Sequence, residues 1–407
     1  MSYHSLLFPE LHLGSGEPQD SSKLWSTGVF PSQKVEEFIA AGWIRASAPI
    51  AEVQIQPASL DLRLGPVAYR VRASFLPGKS STVEGKIGEL GMSEIDLRNG
   101  AVLEKRCVYV IPLLEEWFLP DDISGKANPK STTGRLDLFT RLITDYGTEF
   151  ERVPAGYRGK LYAEVVPRTF TVAVQEGMRL SQIRFVRGSR PPLREGTLDH
   201  LHQEEPLVYA SDDRPADAQI RHGLPISIDL AGTAGAPIVG YKAKSHAPLI
   251  DLAKVNFYDP DEFWEPIPPC KRIILNPDDF YILVSKEKVS VPPDLSGEMV
   301  AYDPSVGEFR IHYAGFFDPG FGYGLEQGKG THAVLEVRSH EVPFVIEDGQ
   351  LVGRLVYERL TEVPRKIYGA SIGSSYQSQG LALSKQFRRP LGASPTTPAV
   401  QTPAGGA

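Results

Sequence analysis

The sequence predicts an all-β-dominated fold with short helices, arranged as two tandem copies of one β-rich domain. Its 38 glycines and 34 prolines, against only 9% aromatic residues, indicate many short segments separated by turns. At 407 residues the chain is longer than the ~250 residues at which a single hydrophobic core stops growing, so two cores are expected. The third observation is an internal repeat.

The repeat consists of short motifs that return at a nearly constant spacing. Two offsets, 295 − 123 and 336 − 164, both equal 172. The matching motifs, first copy against second, are ISG (123–125) and LSG (295–297), LYAEV (161–165) and AVLEV (333–337), PASLDLRLG (57–65) and PISIDLAG (225–232), and VQEGMRLSQIRF (174–185) and IEDGQLVGRLVY (346–357). Duplication of one β-domain explains all of these matches.

Composition divides the chain further. Both ends are poor in large apolar residues and rich in Pro, Gly, Ser and Thr, and the segment between the copies is charged and contains proline. A first helix is predicted in PSQKVEEFIAAGWI, with Ser32 as its cap. The predicted segments are a mobile N-terminus (1–27), a first domain (28–188), a linker (189–221), a second domain (222–363), a tail (364–389) and a disordered end (390–407).

Charge and composition exclude several functions. A net charge of −7 argues against non-specific nucleic-acid binding, which needs a basic field. The absence of long apolar runs and of a signal-peptide pattern predicts a cytoplasmic protein that does not enter a membrane. Cys107 and Cys270 are too few for a disulfide framework or a cysteine-rich zinc site, and we expect both to be buried free thiols.

The segment NPKSTTGRLDLF (128–139) predicts a turn that could bind phosphate. It brings hydroxyls, backbone N–H groups and cations together at the entry to a strand, which suits phosphate oxygens. An ordinary solvated turn is the alternative. The candidate residues are Lys130, Ser131, Thr132, Thr133, Gly134 and Arg135.

A second candidate feature is a carboxylate within a predicted strand, AGYRGKLYAEVVP (155–167). Glu164 lies among apolar residues there, and burial would raise its pKa into the range that a general acid or base needs. A surface ion pair on an edge strand is the alternative. Asp145 in RLITDYGTEF is the companion carboxylate.

The late segment KIYGASIGSSYQSQGLALSKQFRR (366–389) mixes Gly and Ser with aromatic and amide side chains. This composition favours a flexible flap that closes on a polar ligand, so removal of the chain after Leu360 should leave a folded protein. A merely mobile end is the alternative. The polar candidates are Tyr368, Tyr376, Gln377, Gln379, Ser384 and Lys385.

Together, QPASLDLRLG, KSTTGR, GYRGKLYAEV, EGMRLSQIRF and YGASIGSSYQSQGLALSK resemble the successive motifs of dCTP deaminases, relatives of the trimeric dUTPases, in a long two-copy form. The resemblance is strong over 28–188 and weaker over 222–388. It implies tandem dUTPase-like domains of the β-barrel or jelly-roll (β-clip) type. It also implies a homotrimer that binds dCTP or dUTP.

The resemblance assigns roles residue by residue. Glu164 matches the catalytic glutamate, Ser131 and Arg135 match residues near the base and triphosphate, and Tyr162 and Ala163 match pyrimidine contacts. Tail residues that close over the nucleotide are matched by Tyr368, Tyr376 and Gln379. Three departures stand out: Ser375 replaces a family lysine, Pro154-Ala155-Gly156-Tyr157 replaces an Asp-Pro-Gly-Trp turn, and YGTEFERV (146–153) contains an insertion.

The second copy differs at the phosphate turn. Glu308 stands where the first copy has Arg135, and a carboxylate there would repel phosphate. This copy is therefore expected to be a structural partner. It nevertheless keeps Asp318-Pro319-Gly320-Phe321 and Glu336 at the family positions, so a site built from both copies stays open.

The implied reaction is the hydrolytic deamination of dCTP, a cyclic amidine, to dUTP and ammonia, which would supply thymidylate synthesis. The sequence lacks the Pro-Cys-x-x-Cys zinc pattern, so a glutamate is expected to activate water, with Mg²⁺ carried on the triphosphate and no zinc. One alternative is a dUTPase or a bifunctional enzyme, in which Asp145 or Asp318 activates water. The other is a nucleotide-binding protein without catalysis.

Overall fold

A computed structural model describes residues 26–188, 193, 195–218, 220, 223–300, 309–312, 315–325, 329–339, 341–369 and 380–389. The predictions of a mobile N-terminus up to residue 25 and of a disordered end after 389 lie outside these residues. Five short helices, α1 to α5, span Ser32–Ala40, Val83–Leu90, Ser131–Gly134, Glu195–Glu204 and Pro260–Phe263. Strands dominate the rest, which confirms the predicted fold class.

The first lobe contains two main sheets. One has the order β1-β13-β8-β10 with β3 added to β13, and the other has the order β5-β4-β7-β11-β9 with β2 added to β7. Strands β1 to β13 span Gly28–Val29, Ile44–Ala46, Leu60–Arg63, Val67–Val71, Gly91–Asp96, Ala101–Leu103, Val108–Phe118, Ile123–Pro129, Leu138–Thr144, Arg152–Val153, Arg158–Pro167, Val172–Val174 and Arg179–Arg187.

The second lobe repeats this arrangement. Its sheets have the orders β18-β16-β20-β24-β22, with β14 added to β20, and β15-β26-β21-β23. Strands β14 to β26 span Val208–Tyr209, Leu224–Ser227, Gly240–Ala243, Ile250–Asp251, Trp264–Ile267, Arg272–Leu275, Tyr281–Val289, Leu295–Val300, Phe309–His312, Phe316–Phe317, Thr331–Ser339, Phe344–Glu347 and Leu351–Arg359.

The sequence repeat corresponds to a structural repeat. The central strands β7, β11 and β9 of the first lobe have the same antiparallel order as β20, β24 and β22 of the second, and β13 pairs with β8 as β26 pairs with β21. Glu164 and Glu336 therefore occupy equivalent positions on β11 and β24. The register puts Val153 opposite Gly125 and Phe317 opposite Gly297, so Pro154 and Asp318 are equivalent as well.

The predicted linker is wrong over much of its length. Its apolar residues repeat at a spacing that buries one helical face, and α4 and β14 pack into the core of the second lobe. β14 also pairs with β20, so this segment adds a strand to the second lobe. The buried residues are Leu198, Leu207, Val208 and Ile220.

Two smaller expectations also need correction. Ser32 is the first helical residue of α1 rather than its cap, since Pro31 holds the cap position and the Ser32 hydroxyl donates to the Gln33 side chain. Cys107 and Cys270 are free but only partly buried. Among the described residues, no helix is both long and apolar enough to cross a membrane.

The two lobes share one core at the end of the chain. Phe387 is 2% exposed and lies in an aromatic cluster with Phe263 and Trp264, at ring-centroid distances of 5.3 and 5.8 Å. Phe170 of the first lobe contacts the same two rings. β17 also pairs in parallel with β12. The end of the predicted tail is therefore part of the folded core.

Candidate functional site

The phosphate turn predicted from the sequence forms the single-turn helix α3 between β8 and β9. Ser131 is exposed, whereas Thr133 and Gly134 are buried. The Thr133 hydroxyl donates to the Leu180 carbonyl at 2.8 Å, so it fixes the turn to β13. Thr132 is half-buried, and its carbonyl accepts a 2.9 Å bond from the Ser384 hydroxyl of the tail.

The fully buried Asp61 of β3 lies beside the start of this turn, and three cations are close to it. Lys130 Nζ lies 2.5 Å from Asp61 Oδ1, and Arg179 Nη1 lies 3.2 Å from Asp61 Oδ2. Lys385 of the tail is half-buried nearby. Burial lowers the pKa of Lys385, and the positive charges of Lys130 and Arg179 lower it further. One buried aspartate thus neutralises part of a cluster that retains net positive charge.

Arg135, at the end of the turn, meets the second lobe. It is 4% exposed, and its Nε lies 4.0 Å from Oε1 of Glu336. Arg135 Nη1 also donates to the Ala382 carbonyl at 3.0 Å. The turn, the second-lobe strand β24 and the tail therefore converge on one guanidinium.

Glu336 is the carboxyl group that meets Arg135 from the second lobe. It is 6% exposed on β24, and burial raises its pKa to about 8, although the neighbouring Arg135 favours the charged form. A carboxyl group with this pKa can exchange a proton near neutral pH. The sequence predicts Glu336 as a possible site residue of a copy expected to be structural, with a site built from both copies left open.

Asp318 lies in the second-lobe turn that faces the same cations. It is 8% exposed, and Arg184 of the first lobe donates to its Oδ1 at 3.4 Å. Burial raises the pKa of Asp318, while the charges of Arg184 and Lys130 oppose that shift. Asp318 and Glu336 thus both reach the first-lobe cations from the second lobe.

The tail contacts the folded lobes at two places near this site, one before and one after the residues that the structure does not describe. Tyr368 donates its backbone N–H to the Pro319 carbonyl at 2.9 Å, and its ring lies 5.6 Å from that of Phe321. Gly320 permits this approach, because a Cβ there would lie 2.0 Å from the Ile367 side chain. The other attachment is at 382–387. The predicted contacts Tyr376 and Gln379 lie outside the described residues.

The predicted catalytic residue Glu164 has a different environment. It is completely buried, and its Oε1 accepts bonds from Arg141 Nη2 at 2.5 Å and from Nε at 3.1 Å. Its Oε2 has no partner among the described residues. The Arg141 guanidinium stacks over Phe150, 3.5 Å from the ring centroid, and also donates to Ser74. Within the described residues Glu164 therefore binds Arg141 rather than Ser131 or Arg135, and its predicted catalytic role stays a prediction.

The other first-lobe candidates also have structural roles. Asp145 Oδ1 accepts from the Val83 N–H at 2.8 Å and so holds the start of α2. Tyr162 packs in an apolar cluster with its hydroxyl 3.4 Å from Glu84, and burial raises its pKa. Ala163 is 1% exposed in the main core of the first lobe. None of the three is placed at the cationic turn by these contacts.

The two copies differ at equivalent positions around this contact. The first copy keeps Arg135 but has Pro154 where the second has Asp318. The second copy keeps Asp318 and Glu336 but has Glu308 where the first has Arg135. The interlobe contacts bring Glu336 to Arg135 and Asp318 to Arg184. Both differences can be read from the sequence, but Asp61, Arg179 and Arg184 were not predicted as site residues. The available signal was Asp61 itself, an aspartate among the apolar residues of LDLRLG that needs a cation as its partner.

Comparisons with known proteins identify a family for both halves of the chain. Family models described as the N-terminal and C-terminal domains of 2'-deoxycytidine 5'-triphosphate deaminase match residues 26–189 and 194–387. The crystal structure of that deaminase from Agrobacterium tumefaciens is 49% identical, with a TM-score of 0.78, and the match covers 83% of this chain and 100% of that one.

Shorter relatives match part of the chain. A dCTP deaminase from Halorubrum lacusprofundi is 26% identical over 185 residues, 45% of this chain and 83% of that protein. A dUMP-forming dCTP deaminase from Mycolicibacterium gilvum is 31% identical over 121 residues, 28% of this chain and 59% of that protein. Such lengths fit a relative that corresponds to one copy of the repeat.

Proposed function

Because the chain belongs to the dCTP deaminase family and is an enzyme of its two-domain form, we propose that it deaminates dCTP in one site built from both lobes, with Glu336 as the catalytic carboxylate. The observation that carries this proposal is the 4.0 Å approach of Glu336 to Arg135 across the interface between the lobes. That contact joins a proton-transfer group to the cationic turn.

The chemistry requires water to attack C4 of cytosine. Glu336 takes a proton from that water, a tetrahedral intermediate forms, and the protons pass to N3 and to the leaving ammonia. The proton that Glu336 takes from water goes to N3, the proton of the C4 hydroxyl group leaves with the amino group as ammonia, and Glu336 is regenerated, so the products are dUTP and ammonia. A pKa of about 8 suits both steps, since the group can accept and donate near neutral pH. The dUTP would then supply thymidylate synthesis.

The cationic cluster is suited to the triphosphate. Lys130, Arg179 and Lys385 surround one aspartate, and the exposed Ser131 lies at the same turn. This donor set fits phosphate oxygens rather than a divalent cation. Mg²⁺ would therefore arrive bound to the nucleotide, where it would neutralise phosphate charge. The proposed mechanism needs no zinc ligand from the chain.

A second reaction deserves a test because the relative from Mycolicibacterium gilvum is named dUMP-forming. Hydrolysis of dUTP would need a carboxylate beside the phosphates. Asp318 suits that role better than Asp145, because Lys130 is close enough to affect the pKa of Asp318, whereas Asp145 binds the start of α2. We retain bifunctionality as the alternative.

One assay distinguishes these possibilities. The purified chain is incubated with Mg²⁺ and either dCTP or dUTP, and ammonia and pyrophosphate are measured separately. Ammonia from dCTP without pyrophosphate supports a deaminase alone. Both products from dCTP support the bifunctional alternative. Nucleotide binding without either product would refute the catalytic proposal.

The homotrimer remains part of the proposal. A closed ring of chains would cover strand edges that a single chain leaves exposed. Sedimentation equilibrium should give three times the 44.7 kDa chain mass. A mass equal to one chain would refute the trimer without affecting the site inside the chain.

A further inference from the structure

A second ion pair joins the lobes close to the proposed site, with its charges reversed. Arg338 follows Glu336 by two positions on β24, and Asp137 follows Arg135 by two positions after the turn. Arg338 Nε donates to the two Asp137 oxygens at 3.3 and 3.1 Å, and Nη2 adds a short bond to Oδ2. Arg338 and Asp137 are 3% and 0% exposed.

The pair belongs to a buried hydrogen-bond network. The Thr169 hydroxyl donates to Asp137 at 2.6 Å and accepts from Arg338 Nη2 at 2.7 Å. Arg338 Nη1 donates to the Asp278 carbonyl at 2.6 Å. Because each charge has several partners, loss of one member would leave the other buried and poorly compensated.

The location of the pair connects it to the catalytic geometry. Alternate residues of a strand point to the same side, so Arg338 and Glu336 both face the first lobe. Asp137 has a φ of +52°, a left-handed conformation, where the chain leaves the turn for β9. Fixing the Asp137 carboxylate therefore fixes the backbone that carries Arg135.

We propose that Asp137 and Arg338 are positioning residues that set the separation between Glu336 and the cationic turn. This inference rests on the function proposed above. A guanidinium that binds both oxygens of a carboxylate has one favourable geometry, whereas an apolar pair would tolerate sliding of β24 against the turn. Neither residue needs to touch the nucleotide for this role.

The test compares kcat and KM for dCTP in the variants Asp137→Asn, Arg338→Met and Arg338→Lys. We expect Asp137→Asn and Arg338→Met to lower kcat about 10- to 100-fold with KM changed less than about threefold, because a displacement of ~1 Å can cost that much rate. Arg338→Lys keeps a cation and should recover part of kcat. Thermal unfolding defines an assay temperature at which each variant is folded.

A matched control breaks another ion pair between the lobes. Lys126 of β8 pairs with Glu298 of β21, and neither residue has a role in the proposed reaction. Lys126→Met should lower the thermal midpoint while kcat stays within about twofold of the wild-type value. Loss of kcat in this control as large as in Asp137→Asn would show a general interface effect and would overturn the positioning role.

The remaining outcomes are also decisive. No ammonia from the wild-type chain would refute the proposed function before the positioning role is reached. An active wild type with unchanged kcat in Asp137→Asn and Arg338→Met would overturn the positioning role alone. If these two variants do not fold, Arg338→Lys decides: wild-type kcat overturns the inference, and a lower kcat with unchanged KM supports it.

Discussion

Glu336 and Arg135 belong to different copies of the repeat, yet their Oε1 and Nε atoms are 4.0 Å apart. The first copy contributes the cation, and the second contributes a buried carboxyl group whose pKa is raised to about 8. The equivalent carboxyl group of the first copy, Glu164, binds Arg141 instead. The contact therefore identifies the interface between the lobes, rather than the interior of either lobe, as the place to test by mutation.

Glu336→Gln should reduce ammonia release from dCTP by at least ~10³-fold, because an amide keeps the shape of the side chain but cannot accept a proton from water. The dissociation constant for dCTP should change less than about threefold. Turnover is measured by ammonia release and affinity by titration calorimetry. Normal turnover would remove Glu336 from the mechanism.

Glu164→Gln is the matched control at the equivalent position of the first copy. We expect kcat to stay within about threefold of wild type, because Glu164 binds Arg141 instead of Arg135. The free energy of unfolding should fall by about 1–3 kcal/mol, since the Arg141 guanidinium loses a charged partner. Loss of ammonia release with unchanged stability would instead restore the original assignment of Glu164.

The pKa of Glu336 also predicts a pH dependence of stability. Folding raises this pKa from 4.5 to about 8, so the protonated form is favoured in the folded chain. The stability that the protonated carboxyl group gives to the folded chain is fully present below pH 4.5 and is lost as pH rises towards 8. Glutamine cannot ionise, so the variant does not lose this stability. The thermal midpoint of Glu336→Gln should therefore rise relative to that of wild type as pH increases from 5 to 8. A constant difference would contradict the raised pKa.

Arg135→Ala should weaken dCTP binding by about 1.5–3 kcal/mol, the scale of a charge-assisted hydrogen bond. Calorimetry in the Glu336→Gln background separates binding from turnover. Arg187→Ala is a suitable control, because Arg187 pairs with Asp122 on the surface of the first lobe. Equal affinities in both variants would rule out Arg135 as a nucleotide contact.

The anchored tail predicts a stability effect. Phe387→Ala should lower the free energy of unfolding by about 3–5 kcal/mol in urea titrations, because the ring is 2% exposed in the shared aromatic cluster. Phe257→Ala, whose ring is 50% exposed, should cost much less. Removal of the chain after Leu360 also removes Phe387, so the truncated chain should be less stable than the full chain.

Much of the fold follows from the sequence. Gly-containing turns and alternating apolar residues recur at the same spacing, and the two lobes have matching sheets because the same strands recur in the same order. The short helix α1 is also visible from Val35 and Phe38, which are buried. The helix α4 was not predicted from the sequence. Most of its residues are polar or charged, so its narrow apolar face is difficult to recognise without the second lobe against which it packs.

The site was only partly predictable. The sequence identifies Arg135 and both glutamates, but strand alternation says only which face a residue occupies and not which lobe lies opposite it. The sequence therefore favours Glu164 over Glu336, because the first copy resembles the family more strongly. The contact that distinguishes the two glutamates is the one between Arg141 and Glu164 on adjacent strands. The sequence alone does not show whether such a pair is buried or lies on the surface. The clearest sequence difference between the copies is Pro154, which stands in the first copy at the position equivalent to Asp318.

The pair formed by Lys126 and Glu298 has a consequence for symmetry. These residues stand at equivalent positions, since 298 − 126 gives the repeat spacing of 172. Two identical subunits meeting in this way would bring lysine against lysine or glutamate against glutamate, and like charges repel. Because both copies lie on one chain, each position can be encoded separately. Covalent linkage thus permits an asymmetric interface that no pair of identical polypeptides could form.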